Sequence, residues 1–346
     1  MQSIINQFQL ANPVRLPEAI KVGFINESYR LKAAEEGGVA YFLQRINHNI
    51  FQDVEGLQNN IERVTTHIRQ LLTEAGETDV ERKVLRVVPT KDGKLYYRTP
   101  EGEYWRMYVL IENALSYEQI TPESARLAGK AFGQFQCQLS TINCQLIETI
   151  PDFHNLEFRI KQLHEALEKD AAGRKAATQD IADFLLAHAE EMCLAERLYA
   201  EGKIQKRINH CDTKVNNILF DMEGNPMCIV DLDTVMPGFV FSDFGDFIRT
   251  AANTGAEDDP NLDNIAVNKE IYDAYLEGYL STATFLTDLE ISLLPYGCQR
   301  MSFMQAVRFY IDYLNGDTYY KIMYPEHNLV RTQAQIRLFE EQRKSL

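Results

Sequence analysis

Residues 210–217 read HCDTKVNN, and this stretch governs the interpretation of the whole chain. It follows the pattern H-x-D-x-K-x-x-N, in which Asp212 and Asn217 are five positions apart (217 − 212 = 5). A β-rich run, KRIN, precedes it. The sequence ILFDMEGNPMCIVDLD after it predicts two short strands joined by a turn at MEGN. A short polar loop between strands can hold chemically active side chains on a rigid scaffold.

The residue types in this loop suit the transfer of a phosphoryl group. The reaction needs an acidic group that orients the attacking hydroxyl and accepts its proton, and we assign this role to Asp212. It also needs oxygen ligands for Mg²⁺, one of which Asn217 can supply through its amide. Lys214 would neutralise the transferred phosphoryl group, and His210 would hold the loop by hydrogen bonds. The alternative is a polar surface loop with coincidental acids.

A second metal ligand is predicted at the end of the following hairpin. Asp231 ends the run MCIVD, 19 residues after Asp212 (231 − 212 = 19), a gap that a loop and two short strands fit. Asp233 alternates with Asp231 and would share its face of an extended chain, so it is a further metal candidate. The letters DFG, a metal-binding signature of protein kinases, begin only at Asp243. Asp243 lies 31 residues after Asp212 (243 − 212 = 31), which is too far for this arrangement. We therefore interpret Asp243 and Asp246 as structural, either as a cap or as partners of the loop.

Length, charge and cysteine usage exclude several classes of protein. The chain has 346 residues, which suits about two domains, and its net charge is −15. Such an acidic surface argues against nucleic acid or an anionic membrane as partner. No apolar run approaches the roughly 20 residues of a membrane span, and no secretory signal is recognisable. Six scattered cysteines without a CxxC pair indicate reduced thiols in a cytoplasmic protein, without a zinc site.

The first third of the chain is rich in strand patterns. Residues 21–46 predict an antiparallel hairpin with its turn at EEGG. Apolar residues at steps of three and four predict an amphipathic helix over residues 53–72, with Asp53 as its N-cap. Three more strand candidates follow in residues 83–90, 94–100 and 104–113.

Helical patterns dominate after residue 113. A helix should begin with Thr121 as N-cap and Pro122 at its first position, and further helices are expected over residues 157–170 and 180–200. Residues from about 242 to the end are also mostly helical. The sequence therefore predicts an α+β fold, with a small antiparallel-sheet lobe over residues 1–112 and a larger helical lobe over residues 113–346.

Four segments carry a resemblance to a known family: HCDTKVNNILFD, IVDLDTVMPGFVFSDFGDFIRT, FLQRIN and DYLNGDTYYKI. They resemble the aminoglycoside phosphotransferase and choline kinase-like family, whose fold looks like that of protein kinases, and within it they look most like kinases of N-acetylhexosamines. The resemblance extends from about residue 20 to 335. It implies a bilobal enzyme that uses Mg²⁺ and ATP to phosphorylate the anomeric hydroxyl of an N-acetylhexosamine, as a monomer or weak homodimer.

Other acceptors and roles stay open at this point. Another sugar, an amino alcohol or an aminoglycoside would use the same chemistry, and cationic acceptors would suit the acidic surface. An ATP-binding pseudokinase is a further alternative, since the strand lysine that pairs with the α- and β-phosphates is missing from YFLQRIN. Many members of the family have glycine where this chain has Cys211, which puts the loop backbone in question.

The resemblance also implies an ATP site in the first lobe. Gln44 or Arg45 stands near the missing lysine, and alternation along the strand does not decide between them. We favour Arg45, with Glu62 on the helix as its partner; a surface arginine and a solvated glutamate are the alternatives. Further ATP contacts are expected from the turn that would cover the phosphates and from the backbone that would read the adenine, namely Gly23, Asn26, Ser28 and Glu112.

Candidate acceptor-binding residues lie in the helical lobe. Besides Asp212, the resemblance points to His154, Arg308 and Tyr319, because a hexosamine needs hydrogen-bond partners for several hydroxyls. Each has a plainer interpretation. Arg308 stands four residues before Asp312 and could form a simple ion pair on a helix. Tyr319 could belong to the core, and His154 could be an ordinary loop residue.

Overall fold

The computed structural model describes residues 1–20, 25–117 and 120–346. The chain divides into two compact units. The first contains Met1–Tyr117, Gln134–Pro151 and Asn216–Met236, and the second contains Glu118–Gly133, Asp152–Val215 and Pro237–Leu346. The first unit thus includes the whole predicted strand-rich lobe together with two later segments of the chain.

A five-stranded antiparallel sheet forms the centre of the first unit, in the order β1-β2-β3-β5-β4. Its strands are β1 (Glu18–Ile20), β2 (Glu27–Leu31), β3 (Tyr41–Ile46), β4 (Tyr97–Arg98) and β5 (Tyr104–Val109). β2 and β3 pair with Glu27 opposite Arg45 and Leu31 opposite Tyr41, which confirms the predicted hairpin in its described part. The strand candidate at residues 83–90 is wrong. It touches β5 through one bridge, Val87 to Tyr108, before a turn at Thr90 redirects the chain.

The two faces of this sheet differ in character. Leu43, Trp105 and Met107 are buried in one apolar cluster, together with Ile5 of the short helix α1 (Gln2–Ile5). Side chains alternate across a strand, so Gln44 and Arg106, which pair in register, lie on the opposite face. That second face carries the polar residues used below.

The predicted amphipathic helix is confirmed as α2 (Val54–Glu74), followed by the short α3 (Val80–Lys83). Asp53 caps α2, because its Oδ1 accepts a hydrogen bond of 2.8 Å from the backbone N–H of Gly56. The first unit also contains the antiparallel hairpin of β7 (Ile218–Phe220) and β8 (Pro226–Ile229). Its turn contains Gly224 at a φ of +88°, a conformation that glycine adopts without steric cost.

Helices build most of the second unit, in agreement with the sequence. They are α4 (Pro122–Leu139), whose last turns belong to the first unit, α5 (Leu156–Lys169), α6 (Gln179–Met192), α7 (Leu194–Ala200), α8 (Val240–Ala251), α9 (Lys269–Thr282), α10 (Asp288–Ser292), α11 (Leu294–Leu314) and α12 (His327–Ser345). The predicted cap is present, since Thr121 Oγ1 accepts from the backbone N–H of Ser124 at 3.2 Å. The helix predicted over residues 180–200 is interrupted at Cys193.

Helices α8 and α11 approach each other closely at two glycines. A Cβ on Gly245 would lie 2.2 Å from the carbonyl oxygen of Gly297, so neither position tolerates a side chain without a shift of the helices. The letters DFG therefore lie inside a buried helix, where Gly245 serves packing. Strands β6 (Arg207–Asn209) and β9 (Met236–Gly238) form a separate two-stranded sheet.

Among the described residues, no helix is long and apolar enough to cross a membrane. All six cysteines lie in the described ranges, and no disulfide joins any of them.

Candidate active site

The loop of residues 210–217 is held by a carboxylate from α8. Asp243 accepts hydrogen bonds from the backbone N–H groups of His210 at 2.7 Å and Cys211 at 2.8 Å. The hydroxyl of Thr213 donates to the backbone oxygen of Asp243 at 2.6 Å. The prediction that Asp243 is a structural partner of the loop is thereby confirmed. His210 is fully buried, with its ring edge-on to Phe132.

Cys211 adopts a backbone conformation that favours glycine. Its φ is +63°, and its side chain is buried. A residue with a Cβ costs roughly 1–2 kcal/mol in this left-handed region, and such strain persists only where the surroundings enforce it. The cysteine therefore does not change the course of the loop, because the bonds to Asp243 hold the positive φ.

Asp212 lies in a group of alternating charges within the second unit. Nζ of Lys214 lies 2.5 Å from Oδ1 of Asp212, and Asp246 forms an ion pair of 2.9 Å with Arg249. Burial opposes the charged form of Lys214, but the Asp212 and Asp246 carboxylates outweigh it, and the pKa of Lys214 is raised. Burial also raises the pKa of Asp246, against the effect of Arg249. Lys214 is thus held as a cation beside the predicted base.

Asn217 and Asp231, the two leading metal candidates, both belong to the first unit. The backbone N–H of Val230 donates to the backbone oxygen of Asn217 at 2.9 Å, so Asn217 lies beside the residue that precedes Asp231. Asp231 has a φ of +60° and begins a short 3₁₀ turn, Leu232–Thr234. The set offers only oxygen donors and few carboxylates, which fits Mg²⁺. Among the described residues, no cluster of three or more His, Cys, Asp or Glu side chains is arranged to hold a metal.

Asp233 makes a buried ion pair that the sequence did not suggest. Its Oδ1 and Oδ2 accept from Nη1 and Nη2 of Arg106, the latter bond measuring 2.9 Å. Nδ2 of Asn26 donates to the same Oδ2 at 2.7 Å. The guanidinium and carboxylate are 2% and 5% exposed. Burial opposes the charged form of Arg106, but Asp233 outweighs it and raises the pKa of Arg106.

Gln44, rather than Arg45, lies on the face of β3 that carries the polar residues. Gln44 shares a sheet face with Arg106, while Arg45 points to the other face. There Arg45 pairs with Glu103 at 2.6 Å and with Glu27, so the expected pair with Glu62 is not formed. Alternation along β3 separates Gln44 from Arg45, because neighbouring residues of a strand cannot share one face.

Three of the remaining ATP candidates accept hydrogen bonds from other residues of the chain. Oδ1 of Asn26 accepts from the backbone N–H of Asn47 at 2.9 Å, and the buried Ser28 accepts from Nε2 of Gln44 at 3.0 Å. The backbone oxygen of Glu112 accepts from Arg82 at 3.1 Å. Gly23 lies outside the described residues. The ATP contacts of these four residues stay predictions.

Arg308 contacts two aromatic rings and does not form the simple ion pair with Asp312. Its guanidinium carbon lies 5.2 Å from the ring centre of Phe153 and 5.7 Å from that of Tyr320. Asp312 instead accepts from the backbone N–H groups of Thr318, Tyr319 and Tyr320 at 2.8–2.9 Å. The buried carboxylate thus fixes a loop that presents Tyr319, which is 63% exposed and therefore not part of the core.

His154 lies in a group of arginines in the second unit. Its ring stacks on Phe153 with ring centres 4.4 Å apart. Burial, followed by the charges of Arg308 and Arg300, holds the pKa of His154 well below its usual value, so the imidazole is neutral. Burial and the neighbouring Arg308 lower the pKa of Arg159 to about 10.

This chain is a kinase-type, ATP-binding phosphotransferase, and the comparisons with known proteins identify its family. The model of the phosphotransferase enzyme family, APH, matches residues 18–285, so the chain belongs to that family. The predicted α+β fold of the protein-kinase type is thereby confirmed, and the function is that of a small-molecule kinase.

Solved structures of similar fold have low sequence identity to this chain. Amicoumacin kinase hAmiN, in a complex with AMP-PNP, Ca²⁺ and Ami, is 12% identical, with a TM-score of 0.63 over 98% of this chain and 92% of that one. A microcompartment-associated aminopropanol kinase is 15% identical, with a TM-score of 0.60 over 99% and 95% of the two chains. Plasmodium vivax ethanolamine kinase is 14% identical, with a TM-score of 0.56 over 98% and 85%.

Proposed function

We propose that the protein transfers the γ-phosphate of ATP to the anomeric hydroxyl of an N-acetylhexosamine. The observation that carries the choice of acceptor is the positive charge around the candidate acceptor residues. Arg308 and Arg159 donate to the side chains of Gln305 and Gln162, and neither forms an ion pair with a carboxylate in the part of the chain that the structure describes. The charge of Arg308 lowers the pKa of Arg159 more than the charge of Asp152 raises it.

This charge disfavours a cationic acceptor. The amine-bearing acceptors named for the similar structures, aminopropanol and ethanolamine, would be repelled by two guanidinium groups that pair with no carboxylate of the described residues. A neutral sugar instead offers hydroxyl and carbonyl oxygens to the guanidinium donors, and an exposed ring such as Tyr319 can pack against a sugar face. The neutral His154 can exchange hydrogen bonds with the same groups.

The chemical step moves one phosphoryl group and one proton. The anomeric oxygen of the sugar forms a bond to the γ-phosphorus, and the bond from that phosphorus to the β,γ-bridging oxygen breaks, which releases ADP. The hydroxyl proton passes to the carboxylate of Asp212. Lys214, held as a cation 2.5 Å from Asp212, offsets the negative charge of the phosphoryl group.

Asn217 and Asp231 are the residues that would hold Mg²⁺. When bound, the ion would neutralise phosphate charge, which explains how a chain of net charge −15 can bind a nucleotide. Asp233 is not needed as a ligand, because its two oxygens bond to Arg106 and Asn26.

A panel of acceptors tests this proposal. The purified protein is incubated with ATP, Mg²⁺ and one acceptor: N-acetylglucosamine, N-acetylgalactosamine, glucose, ethanolamine or an aminoglycoside. ³¹P NMR should show an acid-labile sugar 1-phosphate with either N-acetylhexosamine. A product from ethanolamine or the aminoglycoside alone would overturn the choice of acceptor, and a glucose phosphate alone would move it to another sugar.

The variant Asp212→Asn tests the proposed base in the same assay. It keeps the size of the side chain and removes its basicity, so turnover should fall by at least a thousandfold while Mg²⁺-dependent ATP binding stays within a factor of three. Asp183→Asn, an exposed aspartate of α6, is the matched control. Retained turnover in Asp212→Asn would remove Asp212 from this role.

A further inference from the structure

We infer that Arg106 is the positioning cation of the nucleotide site, held by Gln44 and acting through Asp233. This inference rests on the proposed binding of Mg²⁺ and ATP by the first unit and adds a residue to it. A protein-kinase-type site has a lysine on the third strand, and this chain has Gln44 there. Arg106 reaches the same sheet face from the neighbouring strand β5.

A row of side chains crosses the sheet on that face. Ser28, Gln44 and Arg106 lie in register on β2, β3 and β5. Nε2 of Gln44 donates to Oγ of Ser28 at 3.0 Å, which leaves Oε1 of Gln44 to accept from Nε and Nη2 of Arg106 at 3.0 and 2.7 Å. The glutamine therefore orients the guanidinium instead of carrying the charge itself.

Arg106 acts on other groups rather than on the nucleotide directly. It is 1% exposed, and its Nε, Nη1 and Nη2 are all engaged by Gln44 and Asp233. A guanidinium has five N–H donors in a rigid fork, so this bidentate contact fixes both the position and the rotation of the Asp233 carboxylate.

Two groups predicted to contact the nucleotide depend on that carboxylate. Asp233 lies in the 3₁₀ turn that begins at Asp231, two residues away from the predicted metal ligand. The backbone oxygen of Asp233 also accepts from Thr149 Oγ1 at 2.8 Å, which anchors the turn from a second side. Asn26, in the turn expected to cover the phosphates, donates to Asp233 at 2.7 Å.

Arg106 therefore connects, through Asp233, the 3₁₀ turn that follows Asp231 with the turn of Asn26 that is expected to cover the phosphates. Loss of Arg106 would leave the buried Asp233 without a counter-charge and would release both turns. The effect should appear in the Mg²⁺ dependence of ATP binding, whereas an ion pair that only stabilises the fold would change the unfolding temperature alone.

The test measures ATP binding by isothermal titration calorimetry at a series of Mg²⁺ concentrations. Arg106→Met should raise the Mg²⁺ concentration for half-maximal ATP binding at least tenfold, and Arg106→Lys should recover part of this loss. Asp233→Asn and Asn26→Ala should shift the concentration in the same direction, by at least threefold. Asn26 is only partly buried, so its variant is expected to fold even if Arg106→Met does not.

Arg207→Met is the matched control. It removes a largely buried bidentate pair with Glu290, at 2.7 and 2.8 Å, in the second unit. It should lower the unfolding temperature and leave the Mg²⁺ dependence unchanged. Folded Asp233→Asn and Asn26→Ala proteins with the wild-type Mg²⁺ dependence would overturn the role of Arg106. A wild-type protein that binds no ATP with Mg²⁺ would instead overturn the proposed function.

Discussion

Oδ1 of Asp243 accepts a hydrogen bond of 2.8 Å from the backbone N–H of Cys211, whose φ is +63°. A side chain of α8 thus holds the loop that carries the proposed base. Asp243 also accepts from the neighbouring N–H of His210, so two backbone donors converge on one buried carboxylate. Buried N–H groups must find acceptors, and here α8 supplies them.

Replacing Asp243 should impair turnover more than ATP binding. In Asp243→Asn the side chain offers one acceptor instead of two, and its amide N–H groups face an N–H donor. An unsatisfied buried donor costs about 1–3 kcal/mol, equivalent to roughly 5- to 150-fold in rate if the loss falls on the loop. Steady-state kinetics should show kcat lowered within this range and KM for ATP within threefold of wild type. An unchanged kcat in the folded variant would separate Asp243 from loop positioning.

Two substitutions of Cys211 isolate the cost of its backbone conformation. Cys211→Ala and Cys211→Gly both remove the buried thiol, but only glycine adopts a φ of +63° without strain. Glycine also has more freedom in the unfolded chain, which offsets part of this gain. The net result should be a glycine variant that is more stable than the alanine variant by about 0.5–1 kcal/mol. Urea denaturation of both variants measures the difference. Equal stabilities, or a more stable alanine variant, would contradict the assignment of strain to this residue.

The family and helix α2 could be predicted from the sequence, but the buried cation of the first unit could not. The pattern of residues 210–217 and the period of α2 are local signals, and they correctly predicted the family and the helix. The choice between Gln44 and Arg45 depends on which face of β3 turns toward Asp233, more than 180 residues along the chain (233 − 45 = 188). One signal was present: Arg106 interrupts the apolar strand YWRMYV, and a charge in such a strand must be paired or exposed.

Two predictions of extended chain are wrong, one for the segment from Asp231 to Asp233 and one for residues 83–90. Asp233 was assigned from alternation in an extended chain, but the positive φ of Asp231 starts a 3₁₀ turn and removes the alternation. Residues 83–90 have strand-like composition, but a strand must also pair with a neighbouring strand over several residues. Here only one bridge forms, and composition does not predict such pairing.

Acid should destabilise the protein partly through His154. The pKa of a histidine in the unfolded chain is about 6.5, and burial with the neighbouring arginines holds that of His154 well below it. Between these two values the unfolded state binds the extra proton, so stability falls as the pH drops below about 6.5, by at most about 1.4 kcal/mol per pH unit for one group.

The variant His154→Gln should flatten this dependence. Urea midpoints between pH 7.5 and 5 should fall less steeply than for the wild type, because the substituted side chain takes up no proton. His164→Gln, an exposed histidine of α5, should leave the wild-type slope unchanged. Equal slopes for wild type and His154→Gln would show that other groups cause the acid sensitivity.

Replacing Arg308 should weaken acceptor binding selectively. Its guanidinium lies 5.2 Å from the ring centre of Phe153 and 5.7 Å from that of Tyr320, so its planar group is held in place by two aromatic rings. Arg308→Ala would lose the proposed hydrogen bonds to sugar oxygens. At about 1.5–3 kcal/mol for bonds to a charged group, the KM for the sugar should rise roughly 10- to 150-fold. Arg308→Lys should recover little, because an ammonium group is not planar and cannot present two parallel donors. Arg337→Ala, on α12 and paired with Glu341 at 3.1 Å, is the control. If Arg308→Ala raised the KM for ATP as much as that for the sugar, Arg308 would not be an acceptor residue, since its charge would then serve the nucleotide.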